Sequence, residues 1–199
     1  VTEIPNQKEY LLLESKGAVT RIQLEENNSC KVTAQFDLPT ATADSNMEGL
    51  ALHCFEQNCV LAWAERGDDK TPAKLSWTRF EINDNQVHTA ELKSFEFKAS
   101  YPKQDMRSVS DLTIDSKGQL WAAAASDPGD EGPFHSAIYN LGTFALHEKQ
   151  ITFNNAKEIK PVAKYETENV KIEEFVGNYF SEELNTTYIF FKKDNKLYL

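Results

Sequence analysis

The chain has 199 residues, of which 40% are hydrophobic and 11% aromatic, with a formal net charge of −10. That apolar content excludes intrinsic disorder, which needs low hydrophobicity, and the length suits one large β domain spanning residues 1–199. The acidic balance repels phosphate backbones, so nucleic acid is excluded as a partner, and no window approaches the 18 apolar residues of a membrane-spanning helix.

Helical periodicity is almost absent, whereas short alternating or continuous apolar runs rich in Val, Ile, Thr, Phe, Tyr and Trp recur throughout. In chain order they predict strands over 10–14, 18–24, 31–38, 50–53, 60–64, 75–82 and 87–98. The series continues over 112–114, 120–125, 137–146, 149–153, 161–165, 175–179, 187–191 and 196–199. Pro, Gly, Asp and Asn gather between them, where turns need them. The run Ala122 to Ala125 can be read as strand or as a helical turn, alanine being the best helix former.

Three of these segments are related. Glu48-Gly49-Leu50-Ala51-Leu52, Ser110-Asp111-Leu112-Thr113-Ile114 and Glu173-Glu174-Phe175-Val176-Gly177 align with Leu50, Leu112 and Phe175 spaced 62 and 63 residues apart. Each is followed by a strongly apolar strand and then a more alternating one. Small or apolar first strands, apolar second strands and polar outer strands are the gradient of a β-propeller blade read from axis to rim. The expected fold is an all-β β-propeller of about four blades, with repeat units at 8–38, 46–98, 108–165 and 172–199. The first unit is expected to lack its first strand and the last its fourth. The chain is then either a small propeller with incomplete terminal blades or part of a longer one; Val1 in place of Met implies a removed leader or a trimmed chain.

The residues Glu-Gly-Leu-Ala at 48–51, the Arg66-Gly67 loop, the stretch from Arg107 to Leu112 and Lys171-Ile172-Glu173-Glu174 resemble motifs of a propeller group. That group comprises propellers related to the esterase-like domain found beside some phytases, and bacterial propellers of uncharacterised role. Two departures stand out: three extra residues separate Arg107 from Asp111, and Glu174 stands where Gly is usual. The resemblance implies a propeller and carries no activity.

In a blade, the loop entering the first strand and the loop leaving the second emerge at the same end. Glu48, Asp111, Glu173 and Glu174, together with Arg66 and Arg107, are therefore expected to converge on one mouth of the axis as a ligand-binding set. Asp127 and Asp130, in the loop after the second strand of the third unit, are candidate ligands for Ca²⁺ or Mg²⁺, which prefer oxygen donors; the alternative for all these residues is ordinary solvated turn acids, with Arg66 and Arg107 in surface pairs. His135, which follows this loop, is the one histidine of four expected near that face. Arg66-Gly67-Asp68 is read as a chance tripeptide, and no nucleophile elbow or phosphate loop is present.

Cys54 and Cys59 flank a turn and either form a disulfide or stay reduced, with Cys30 left over. A disulfide points to a periplasmic or secreted protein; a cytoplasmic one is the alternative. The leading functional expectation is a ligand-binding or scaffold propeller for a small molecule or protein, with a lean away from catalysis. The alternatives are a metal-assisted esterase or phosphoesterase, and an interaction module completed by a partner chain through its edge strands.

Overall fold

The computed structural model describes residues 1–26, 29–129, 132–167, 177–181, 186–193 and 196–198. They form four antiparallel sheets that follow one another along the chain, and no α-helix occurs among them. The first sheet is β1 (Thr2–Ile4), β2 (Glu9–Leu13), β3 (Ala18–Leu24) and β4 (Cys30–Asp37), in that order. The second is β5 (Met47–Phe55), β6 (Asn58–Glu65) and β7 (Ala73–Glu81), with β8 (Gln86–Val87) and β9 (Lys93–Phe97) both on the outer side of β7. The third is β10 (Met106–Ile114), β11 (Gln119–Ser126) and β12 (His135–His147), with β13 (Gln150–Asn155) and β14 (Pro161–Glu166) both on the outer side of β12. Strands β15 (Gly177–Ser181), β16 (Thr186–Lys193) and β17 (Lys196–Tyr198) make the fourth.

Two expectations change. The first unit does have a first strand, the three-residue β1, which pairs with β2 through Thr2–Leu11 and Ile4–Glu9. The second and third sheets have five strands rather than four, because their long third strands outlast any single partner. In β12, β14 covers residues 135–139 and β13 covers residues 142–147. The changeover falls at Gly142, whose φ of 150° and close approach to Asn154 leave no room for a side chain. The alanine run is a strand: Ala122 to Ala125 pair with Tyr139 to Ser136 across β11 and β12. Its register buries Ala122 and Ala124 while Ala123 and Ala125 remain half-buried.

The second sheet is covered on both faces, and this explains why β6 is apolar throughout. Val60, Ala62 and Ala64 point into a core shared with Leu112, Leu120, Ala122 and Tyr139 of the third sheet. Their alternates Cys59, Leu61 and Trp63 point into a core shared with Ile4, Leu11 and Val19 of the first. Period-two alternation sends neighbours to opposite faces, and a strand needs apolar residues at every position only when both faces are covered. Each large side chain buried here contributes roughly 1.5–3 kcal/mol.

The first strands of the three sheets lie side by side. The Leu52 N–H of β5 donates to Thr2 Oγ1 of β1 at 3.1 Å. On the other side, a Cβ on Gly49 of β5 would stand 2.6 Å from Leu112 Cγ of β10. The buried Arg21 adds a polar link between the first and second sheets: it pairs with Glu9 and donates to the Ile82 carbonyl at 2.6 Å and to Asn85 Oδ1 at 2.9 Å.

The hairpin turns at one end of these sheets explain two further sequence features. Glu56 and Gln57 form a two-residue turn closed by the Phe55–Asn58 pair, with Glu56 at φ 56°. Cys54 and Cys59 are then directly opposite, with Cα atoms 4.0 Å apart, and a disulfide joins them. At the corresponding turn of the third sheet, Asp115 Oδ1 accepts from the N–H groups of Lys117 and Gln119 at 2.8 and 2.9 Å, and Oδ2 accepts from Trp121 Nε1 at 3.1 Å. Burial pushes the Asp115 carboxyl up, but the hydrogen bonds from Gln119, Trp121 and Lys117 outweigh it and hold the group below its ordinary range.

Candidate functional site

Strands β5 and β10 begin at the same end of the molecule, and both begin with a bulge. In β5 the register shifts between Met47 and Gly49, so Glu48 is the extra residue. In β10 it shifts between Arg107 and Asp111, so the three residues Ser108 to Ser110 stand opposite Ala124 alone and form the bulge. Such insertions locally re-aim the chain. Here the β10 bulge turns the Val109 N–H onto the Arg66 carbonyl at 3.0 Å, tying the exit of β6 to the start of β10. Ser108 and Val109 are fully buried beneath this join.

The register therefore brings Glu48, Arg66 and Arg107 to one end of two adjoining sheets. Glu48 and Arg66 are half-buried, and their side chains have no hydrogen-bond or ion-pair partner among the described residues. Arg107 pairs through Nη2 with Asp127, and its Nε is buried without a partner. Asp111 lies further along β10, opposite Ala123; it is exposed, and its Oδ1 accepts from the Leu112 N–H at 2.8 Å. Asp127 is occupied by Arg107, and among the described residues no cluster of three His, Cys, Asp or Glu side chains is arranged for a metal. Asp130, Glu173 and Glu174 lie outside the described residues.

The acids after Arg66 are built into their loop. Asp68 Oδ1 accepts from the Thr71 and Lys70 N–H groups at 2.6 and 2.7 Å, bonds that lower its pKa. Asp69 Oδ1 accepts from the Met106 N–H at 3.0 Å. The aspartate of Arg66-Gly67-Asp68 thus closes its own turn.

A second arrangement at the same end involves residues that were not selected from the sequence. A cavity of about 280 Å³ is lined by Tyr101, Lys103, Asp105, Ser126 and His135 among others. The Tyr101 hydroxyl donates to Glu166 Oε1 at 2.7 Å and lies 2.9 Å from His135 Nδ1. A phenol has one proton. With that proton on the Glu166 side, the oxygen can only accept from the imidazole, so His135 carries a proton on Nδ1, and in the neutral imidazole Nε2 is then the acceptor. No protein group among the described residues bonds that Nε2. Loss of water around Tyr101, then the hydrogen bond and charge of Glu166, push its hydroxyl up to about 12 and keep it a donor. The Lys164 ammonium sits 4.8 Å from the centre of the Tyr101 ring.

His135 was the histidine expected near this face. Its partners are distant in sequence: Tyr101, 34 residues before it, is brought in by the loop between β9 and β10, and Glu166, 31 residues after it, by the pairing of β14 with β12. The chain shows no match to known protein families, curated proteins or solved structures.

Proposed function

We propose that the chain is a ligand-binding β-propeller whose ligand docks where Glu48, Arg66 and Arg107 converge. The radial reading is supported by the side-by-side first strands β1, β5 and β10 and by the second sheet being covered on both faces. The observation that carries the site is the Val109–Arg66 hydrogen bond, which gathers two arginines and an acid from different sheets at one end.

Guanidinium groups recognise carboxylate and phosphate oxygens through paired donors. Arg107 already holds the carboxylate of Asp127, half-exposed and displaceable. The ligand class is therefore a small molecule bearing a carboxylate or phosphate, with Glu48 receiving a donor from elsewhere on it. The Cys54–Cys59 disulfide supports a periplasmic or secreted setting.

A thermal-shift panel of di- and tricarboxylates and sugar phosphates tests this. At least one member should raise the melting temperature, and the paired substitution Arg66→Ala and Arg107→Ala should remove that rise. A rise that survives the paired substitution places the ligand elsewhere.

The Tyr101–His135–Glu166 arrangement favours a second reading, hydrolysis of an ester or phosphoester. There His135 Nε2 takes the proton of an attacking water and returns it to the departing alcohol, while the Nδ1–H faces the Tyr101 oxygen and, through it, the Glu166 charge. A divalent ion polarising the ester belongs to the same reading. Esterase and phosphatase screens with and without EDTA, repeated with His135→Gln, decide it; silence on every substrate favours binding alone.

A further inference from the structure

The larger cavity lies at the opposite end of the sheets. It encloses about 750 Å³, within the range of small-molecule sites. Its walls come from three sheets: residues 5–7 between β1 and β2, the turn at 56–57 with Cys54, Asn58 and Cys59 of its flanking strands, Arg79 to Glu81 of β7 with residues 82–84 after it, and Lys149 between β12 and β13. Asn6, Glu56 and Lys149 hold the left-handed backbone at φ 61°, 56° and 70° that such tight turns require.

One buried guanidinium fixes two of these walls. Arg21 is only 8% exposed. Its Nη2 donates to Gln7 Oε1 at 3.1 Å in the first wall, and its Nη1 donates to the Ile82 carbonyl and Asn85 Oδ1 in the third. The Gln7 amide is thereby oriented with its NH₂ left for the cavity. The charged side chains of β7 at this wall are paired. Arg79 donates to Glu81 at 3.0 Å and Glu91 at 3.1 Å, and His88 Nε2 lies 2.9 Å from Glu81 Oε1.

What remains facing a ligand includes the neutral amides of Gln7, Gln57, Asn58 and Asn83, beside the charged Glu56, Asp84 and Lys149. An amide offers a donor pair and an acceptor side by side. That is the complement of adjacent hydroxyls, each of which both donates and accepts. A peptide captured by backbone pairing needs an open strand edge, whereas the strand residues in these walls are already paired with neighbouring strands.

We propose that this cavity binds a neutral, polyhydroxylated ligand, a short oligosaccharide, independently of the arginine-bearing end. Saturation-transfer NMR with maltotriose, cellotriose, mannotriose and chitotriose as probes tests it. Saturation should pass to at least one trisaccharide, and its affinity should not change with added salt, because no net charge is paired. The paired substitution Gln7→Ala and Asn58→Ala, at positions outside the core, should weaken that binding by about tenfold or more, as expected from losing two or more hydrogen bonds. The proposal is overturned if no trisaccharide receives saturation, if the transfer survives the paired substitution, or if a blocked asparagine-containing tripeptide binds where the sugars do not.

Discussion

The Tyr139 hydroxyl sits between the N–H and the carbonyl of Tyr101, 2.9 Å from each. Tyr139 itself is fully buried in β12. A core side chain of the third sheet thus anchors the backbone of the residue whose own hydroxyl links His135 to Glu166. Tyr139→Phe keeps the ring in its packing but strands both backbone groups. Leaving buried polar groups unpaired costs roughly 1–3 kcal/mol. The urea midpoint should fall accordingly with an unchanged m-value, and the Tyr101–His135 hydrogen bond should loosen, read by the imidazole nitrogen shifts of His135. An unaltered midpoint would show that water replaces the hydroxyl without loss.

Tyr101 should ionise late, above the ordinary tyrosine range. Its hydroxyl is pushed up to about 12 from an ordinary value of 10.0. The folded state therefore holds this proton more tightly than the unfolded chain. The associated stability is fully present below pH 10 and is lost as pH rises from about 10 to about 12. In an absorbance titration of phenolate, Glu166→Gln should bring the late step of Tyr101 to lower pH by removing the neighbouring negative charge. A titration that is the same in both proteins would break the assignment.

Arg21→Met should destabilise the join between the first and second sheets. The substitution leaves Glu9, whose side chain is 13% exposed, without its cation, and orphans the Ile82 carbonyl and Asn85 side chain. Breaking a buried pair by removing one partner costs about 3 kcal/mol. Adding Glu9→Gln removes the stranded charge and should recover part of the loss. Chemical denaturation of the three proteins measures this; a double variant no better than Arg21→Met would place the loss in the lost turn contacts instead.

Much of this architecture was legible because period and burial act locally. The all-apolar β6 signalled a strand covered twice, and Phe55 to Asn58 read as a tight turn that sets Cys54 against Cys59. The three residues that disturb the spacing between Arg107 and Asp111 are the β10 bulge itself. What stayed hidden depends on distant chain segments. Thr2–Ile4 is too short to carry a period, and it becomes a strand only beside β2. Tyr101 and Glu166 gain meaning only when β14 pairs with the start of β12 and sets Glu166 opposite His135. The groove beside Gln7 needs turns from three sheets, positioned by an arginine that reads in sequence as one polar residue of an alternating strand.

The contact between Gly49 and Leu112 offers the sharpest test of the proposed radial arrangement, because it joins the first strands of two successive sheets. A methyl group at Gly49 would stand 2.6 Å from Leu112 Cγ and 3.0 Å from its backbone nitrogen. Gly49→Ala should therefore cost roughly 1–3 kcal/mol through overpacking, although alanine normally suits an extended backbone better than glycine. Leu112→Ala alone should cost about 2–5 kcal/mol by opening a cavity. Combined, the two changes exchange a clash for a filled space, so the double variant should lose less than the sum of the single losses. Denaturant midpoints of the four proteins give the coupling. Strict additivity would mean that β5 and β10 are not neighbours in solution, and the shared end at which Glu48, Arg66 and Arg107 meet would no longer exist.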